Sequence, residues 1–304
     1  MDARPAAGVT SLALEITGQC QNTCAHCYAR SGPHGTHGTM GREDWFAVLD
    51  QAARLGMTKV QYIGGEPTFH PYLLPLVDRA LRLGMGVEVF SNLVHVRPSM
   101  WQAFERDGVA LATSYYSDRA AEHEQITGGR GSYQRTRANI AEAVKRGIPL
   151  RAGIIHVHDG QRTDGARAEL RRLGVTGRVR VDRVRAIGNA AFSTPCDPAQ
   201  LCGRCGTDRA SIGPDGTVAP CVMSRWMSAG NVRHQGLADV LSGPDWLARM
   251  AEIPRPRGKE CAPASCGPAD CEPADSDSCQ PKGNDPCGPM SAHTPDSPLT
   301  HPAP

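Results

Sequence analysis

The run Cys20-Gln-Asn-Thr-Cys24-Ala-His-Cys27-Tyr28 puts three thiols at a four-then-three spacing. A tight loop can bring such residues onto one face, and thiolates are the ligands of iron–sulfur clusters. A cubane takes four protein ligands, so three leave one iron open, as catalytic metals need in order to bind a substrate. A zinc site with His26 as fourth ligand, or three unrelated core cysteines, would use the same residues. A second group, Cys196, Cys202, Cys205 and Cys221, places four thiols around a Pro214-Asp215-Gly216 turn. Four protein ligands close a metal site, which suits electron transfer or structure; a zinc ribbon is the main rival to a cluster there. Cys261 comes next. Its S–H bond is weak enough to give a hydrogen atom to a carbon radical; it could equally be a spare ligand or the start of a tail. Cys266, Cys271, Cys279 and Cys287 recur with prolines.

Strands and helices must position these groups. Strand-like runs fall at 12–16, 59–63, 87–90, 109–113, 150–157 and 179–184. Between them lie amphipathic stretches, one with Trp45, Val48, Leu49, Ala52, Ala53 and Leu55 on a helical face stopped by Gly56, another with Ile140, Ala143 and Val144 before Gly147. Such alternation predicts right-handed βαβ crossovers and a parallel sheet. The expected fold class is α/β: a partial (β/α)6 barrel with a small C-terminal cysteine-rich iron–sulfur extension. The expected domains are a barrel at 1–185, an auxiliary domain at 186–260 and a Cys/Pro-rich tail at 261–304, too poor in large apolar residues to order itself. Residues 211–218 read as a hairpin.

Across 304 residues, 33 Lys+Arg balance 31 Asp+Glu to a net charge of +2, which argues against a dedicated nucleic-acid binder. No apolar run approaches the ~18 residues of a membrane span, and no signal peptide is legible, so a cytoplasmic protein is expected. In that reducing setting twelve cysteines point to metal or catalysis.

The CxxxCxxCY motif at the end of the first strand resembles that of the radical SAM enzymes, over roughly residues 10–185. The resemblance implies that Cys20, Cys24 and Cys27 hold a 4Fe–4S cluster whose open iron binds S-adenosylmethionine. Reduction then releases a 5′-deoxyadenosyl radical that abstracts hydrogen. It also implies that Tyr28 lies against the adenine. Gly64-Gly65-Glu66-Pro67 matches the family's GGEP motif: the glycines would admit backbone to the methionine moiety and Glu66 would accept from its ammonium. Ser91 and Asn92 would meet the ribose, and the stretch around Ile154 would flank the adenine. Cys196, Cys202, Cys205 and Cys221 resemble a SPASM or twitch extension and would hold a second, auxiliary 4Fe–4S cluster. His123, His156 and His158 are candidates for lining the cavity, and Asp118 and Glu122 for binding a cationic substrate. Arg135 and Arg137 are expected on a solvent-facing helix.

The leading expectation is a small-molecule substrate, a polycationic sugar. The chain resembles the aminoglycoside epimerases of the family, with Cys261 returning hydrogen to the inverted carbon in an antibiotic pathway. The alternative is a maturase that crosslinks, epimerises or oxidises a ribosomally made precursor peptide. Against it stands the small room ahead of Cys20 for a leader-recognition domain. A non-catalytic electron-transfer protein is the third reading. A reductant such as flavodoxin or ferredoxin is the expected partner, with no nucleic acid and no membrane.

Overall fold

The computed structural model describes residues 8–255. Six parallel strands form its main layer: β1 (Ser11–Thr17), β2 (Lys59–Gly64), β3 (Gly86–Phe90), β4 (Val109–Ser114), β5 (Leu150–His156) and β6 (Val179–Arg183). They lie side by side in chain order. Helices α1 (Arg42–Arg54), α2 (Leu73–Arg82), α3 (Pro98–Phe104), α4 (Ala120–Thr127), α5 (Ser132–Lys145) and α6 (Thr163–Arg172) fill the connections. This is the expected α/β arrangement of a partial barrel. On α1, Trp45, Val48, Leu49 and Ala52 are buried at the i, i+3, i+4, i+7 spacing of one helical face, whereas Ala53 sits at its margin. They pack against Leu12, Leu14 and Ile16 of β1 in one continuous core. No helix among the described residues is long and apolar enough to cross a membrane.

The sheet does not stop at β1. The segment beyond residue 185 adds β7 (Arg209–Ile212), parallel to β1, and then the antiparallel β8 (Thr217–Ala219) and β9 (Gly230–Asn231). β7 and β8 form the hairpin expected from Pro-Asp-Gly. Asp215 Oδ1 accepts from Thr217 N at 3.0 Å, and Gly216 supplies the positive φ of +87° that the turn requires. Helices α7 (Leu237–Ser242) and α8 (Pro244–Glu252) follow. The main-chain pairing of Ser11–Leu14 with Arg209–Ile212 makes this segment a continuation of the barrel sheet.

The opposite face of the sheet is polar. Ala110 and Ala112 of β4 lie opposite Glu88 of β3 and Arg151 of β5 respectively. Their small side chains let Arg151 reach across β4 to Glu88, with Nε to Oε2 at 2.8 Å and Nη2 to Oε1 at 2.7 Å. Gln61 also donates to Glu88, Lys59 stands 3.9 Å away, and the Arg151 guanidinium lies over Phe90. Burial alone would raise the Glu88 pKa. The Arg151 bonds and charge, helped by Lys59 and Gln61, outweigh burial and hold it below the usual carboxylate value.

A carboxylate with a depressed pKa contributes stability above its unfolded pKa and loses it as pH falls through the folded value. Arg151→Met should therefore lower the unfolding free energy by about 2 kcal/mol at neutral pH. That is less than for a fully buried pair, because the Arg151 side chain is 40% exposed. The difference from wild type should shrink below about pH 4. Urea titrations at several pH values check this; a pH-independent difference would assign the loss to packing.

Candidate active site and its two cysteine loops

The chain leaves β1 at Thr17 and runs through the first cysteine motif in a loop held by its own backbone. Gly18 N donates to Thr36 O at 2.8 Å, Cys20 N to Gly32 O at 3.0 Å, and Cys27 N to Cys24 O at 3.1 Å. Cys20 is buried; Cys24 and Cys27 are half-buried. Asn92 Nδ2 donates to Cys20 Sγ at 3.6 Å and Ser31 N to Cys27 Sγ at 3.4 Å. Burial pushes the thiols of Cys20 and Cys24 up to about 12. Left alone they stay protonated, and a bound metal would supply the positive charge that ionises them. The donor set thus fits a thiolate-ligated cluster. Among the described residues no three His, Cys, Asp or Glu side chains are grouped for a single metal ion. A cubane differs from a single ion in this respect, since each thiolate binds a separate iron. His26, the alternative zinc ligand, is turned to Tyr116, with Nε2 3.1 Å from the phenol oxygen, and burial holds it neutral with a pKa of about 4.

The GGEP turn ends β2 directly beside this loop. Gly65 N donates to Thr17 O at 2.7 Å and Glu66 N to Gln19 O at 2.8 Å. A Cβ on Gly64 would stand 2.3 Å from Thr17 O, and one on Gly65 2.2 Å from Gln19 O. The space these glycines vacate is taken by the chain's own β1 end. Glu66 is fully buried and already bonded. Its Oε1 accepts from Thr68 N, Thr68 Oγ1 and Ser91 Oγ at 3.1, 2.8 and 2.8 Å, and its Oε2 accepts from Asn92 N at 2.8 Å. Burial raises its pKa while these bonds oppose the rise. Glu66 therefore anchors Ser91 and Asn92, and the Ser91 hydroxyl, buried and bonded to it, is not open to a ribose. Asn92 takes up the anchor's work: its Oδ1 accepts from Gln21 Nε2 and Val94 N, both at 2.9 Å.

Three further expectations change. Ile154 shares the outward alternation of Leu150 and Ala152 and is fully buried in the helix-facing core. A period of two puts Gly153 and Ile155 on the other face instead. Asp118 is held by the Arg162 guanidinium at 2.6 and 2.7 Å and is neutralised there, whereas Glu122 accepts only from the main-chain Arg162 N at 3.2 Å and keeps its charge. His123 is buried and caged by Tyr115, Tyr116 and Tyr133. His156 is half-buried at the end of β5, and His158 is exposed, 3.9 Å from Glu122. Arg135 and Arg137 are exposed as expected, Arg137 bonding the buried Glu169 at 2.8 Å.

In the second group, Cys205 and Cys221 are buried with their sulfurs 2.9 Å apart. A bond from Cys205, with Arg185 and Arg180 nearby, lowers the exposed Cys202 to about 5. Three of the four thiols thus lie close together; Cys196, half-buried, precedes them. Cys261, Cys266, Cys271, Cys279 and Cys287 lie outside the described residues.

Contacts that the sequence did not announce join the two loops. Arg225 follows Cys221 by four residues. Its Nε stands 3.2 Å from Glu15 Oε1 on β1, and its Nη1 donates to Ala29 O at 2.8 Å. Asn189 N donates to Cys27 O at 2.9 Å, and its Nδ2 to Cys24 O at 3.0 Å. Gly188, at φ +62°, lets this chain pass where a Cβ would stand 2.3 Å from Tyr28 O. The Tyr28 ring packs on the second apolar cluster, with Ile187, Leu201, Cys205, Cys221 and Met227. Burial pushes Glu15 up to about 7 despite Arg225. The signal for Glu15 was a charged residue inside an otherwise apolar strand; none marked Arg225 or Asn189.

The profile of the radical SAM superfamily matches residues 14–173, more than half of the chain. The chain belongs to the radical SAM superfamily. A second profile, the SPASM iron–sulfur cluster-binding domain, matches residues 202–272, past the expected boundary at 260 and across Cys261, Cys266 and Cys271. The cofactors are accordingly 4Fe–4S clusters, one of them auxiliary, with S-adenosylmethionine. The chain is 27% identical to a PqqA peptide cyclase of Ruegeria pomeroyi over 69% of this chain and 67% of that one. It is 29% identical to that of Gluconobacter oxydans over 59% and 50%. It thus spans about half to two thirds of the length of these relatives. Streptococcus suis SuiB bound to precursor peptide SuiA shares the fold with a TM-score of 0.67 at 15% identity, over 81% of this chain and 67% of that one. BtrN in complex with AdoMet and 2-DOIA does so with 0.52 at 14%, over 81% and 87%.

Glu66→Gln would turn an amide donor toward at least one backbone N–H, costing about 1–3 kcal/mol at the Ser91–Asn92 anchor. The expected result is an S-adenosylmethionine affinity lower by about 10-fold or more in equilibrium dialysis, with iron content retained. Unchanged affinity would show that the anchor does not shape the cofactor site.

Proposed function

We propose that this radical SAM enzyme modifies a ribosomally made precursor peptide and works in the reducing cytoplasm. The observation that carries the reading is the likeness in sequence to PqqA peptide cyclases. The sugar-epimerase reading keeps a fold likeness to BtrN, but of the two acidic residues that would have met a polycation Asp118 is already paired with the Arg162 guanidinium.

In this reading residues 1–185 are the barrel, and the auxiliary domain starts at 186 and extends to about 272, as the SPASM match supports. Cys20, Cys24 and Cys27 hold the first cluster. When bound, it and S-adenosylmethionine supply the 5′-deoxyadenosyl radical that removes a hydrogen atom from substrate. Gly64 and Gly65 hold the β2 end against the cysteine loop, and Glu66 sets Ser91 and Asn92. Tyr28 and the Asn189–Arg225 contacts keep the loop registered on the second segment. Cys202, Cys205 and Cys221 are auxiliary ligands. Cys196 or a cysteine beyond residue 255 completes the set, and Cys261 passes from hydrogen donor to ligand candidate. A site closed by protein ligands has no position for substrate and suits electron storage. That favours an oxidised or crosslinked peptide over an isomer.

Anaerobically reconstituted enzyme, given S-adenosylmethionine and a precursor peptide encoded beside it, should form 5′-deoxyadenosine and a peptide lighter by two hydrogens in mass spectrometry. A product of unchanged mass from an aminoglycoside, with no change to the peptide, would restore the epimerase reading.

Replacing Cys20, Cys24 and Cys27 together by Ala should lower the iron content from about eight to about four per chain and abolish 5′-deoxyadenosine formation. Cys261→Ala should reduce auxiliary iron and sulfide. If it keeps full iron and turns over peptide normally, Cys261 is neither ligand nor donor.

A further inference from the structure

The first cysteine loop comes to the surface under the junction of α4 and α5. Cys24 Sγ lies 3.4 Å from Thr127 O, the last residue of α4. Thr23 N donates to the same carbonyl at 3.0 Å, and Thr23 Oγ1 to Gly128 O at 3.3 Å. Gly128 turns the chain at φ +63° and Gly131 at φ +73°. A Cβ on Gly128 would stand 2.2 Å from Thr23 Oγ1, and one on Gly129 2.3 Å from Asn22 Oδ1. Bare backbone therefore rests on the cysteine loop here. Thr23, Ala25 and Gly128 are exposed, so one layer of main chain separates the Cys24 thiol from solvent.

The charge around this thin wall is positive. Arg130 and Arg135 are exposed, and Arg135 folds back over the junction to donate from Nη2 to Arg130 O at 2.6 Å. From residue 119 to 137 the chain carries four arginines against Glu122 and Glu124. Arg137 is paired with Glu169, while Glu122 accepts only from the Arg162 main chain and keeps its charge, so exposed Arg119, Arg130 and Arg135 stand against Glu122 and Glu124.

We infer that the α4–α5 junction, with Arg130 and Arg135, is the docking surface for a small acidic one-electron carrier protein that reduces the first cluster. The inference rests on the radical reading proposed above, in which each cleavage of S-adenosylmethionine consumes one electron. That electron leaves the reduced carrier, which is oxidised by one equivalent, and enters the cluster. Electron transfer between proteins needs a short path, and the wall at Thr127–Gly128 provides one beside Cys24. Opposite charge across such a contact raises the association rate and is screened by salt.

The probe is a reduced plant-type ferredoxin, an acidic carrier near −400 mV. Reduction of the fully reconstituted enzyme is followed as bleaching of cluster absorbance in anaerobic stopped flow, with dithionite as the non-docking reductant. R130E/R135E should slow reduction by ferredoxin about 10-fold or more at low salt, and the gap should close near 0.5 M salt. Dithionite rates and iron content should match wild type. Equal ferredoxin rates in the two proteins would overturn the proposal, as would a variant slowed equally with dithionite, because the loop itself would then have changed. If R130E/R135E fails to hold iron, R130Q/R135Q and the wild-type salt dependence decide instead. A wild-type rate insensitive to salt overturns the docking surface. Failure of dithionite-reduced wild type to make 5′-deoxyadenosine would instead defeat the radical reading on which the surface depends.

Discussion

The carboxylate of Glu66 is the interaction on which the first site hangs. Removing an ionised carboxylate from water costs several kcal/mol unless donors replace the lost hydration. Four donors do so here, from Thr68, Ser91 and Asn92. Two of these residues end β3, whereas Glu66 follows β2, so the ends of two neighbouring strands cannot separate without exposing an unpaired buried charge. Asn92 carries the constraint onward, donating to Cys20 Sγ and accepting from Gln21. The loop that carries three thiols is thereby fixed to the ends of β2 and β3, although it has little regular structure of its own.

The second constraint is the seam where the late segment meets β1. Main-chain pairing of β1 with β7 supplies its length, and the Glu15–Arg225 contact and the Asn189 bonds supply its register. Arg225 is a demanding choice for this position. Its planar donors reach a side-chain carboxylate and a main-chain carbonyl at once, which a lysine could not reproduce with the same geometry. The two cysteine loops are consequently held to each other by hydrogen bonds that involve neither set of thiols.

Local pattern made much of this legible. The alternation of apolar runs located all six barrel strands to within a residue or two, because the helix-facing side of each strand must be apolar whatever its neighbours are. The cysteine spacing and GGEP were legible because each is a short, contiguous chemical unit. What failed was long-range. Nothing near Arg209 announces that it lies beside Ser11. Asp118 looked available because its partner Arg162, some forty residues on, is invisible to a local reading. Ile154 missed by one residue, and in a strand one residue is the whole difference between core and lumen. Glu66 was correctly singled out from the motif, but that it also anchors Thr68, Ser91 and Asn92 of its own chain was not legible.

The pairing of β1 with β7 also orders events during synthesis. Ser11 meets Arg209, so one edge of the first strand stays open until almost two hundred further residues have left the ribosome. At ordinary translation rates that interval is roughly 10–40 s. For its duration the nascent chain presents an apolar strand edge of the kind that invites wrong pairing. The cysteine motif at its end meanwhile lacks the Asn189 and Arg225 contacts that later close over it. The first cysteine loop is therefore completed only after the late segment has emerged, although it is among the first parts of the chain to be made.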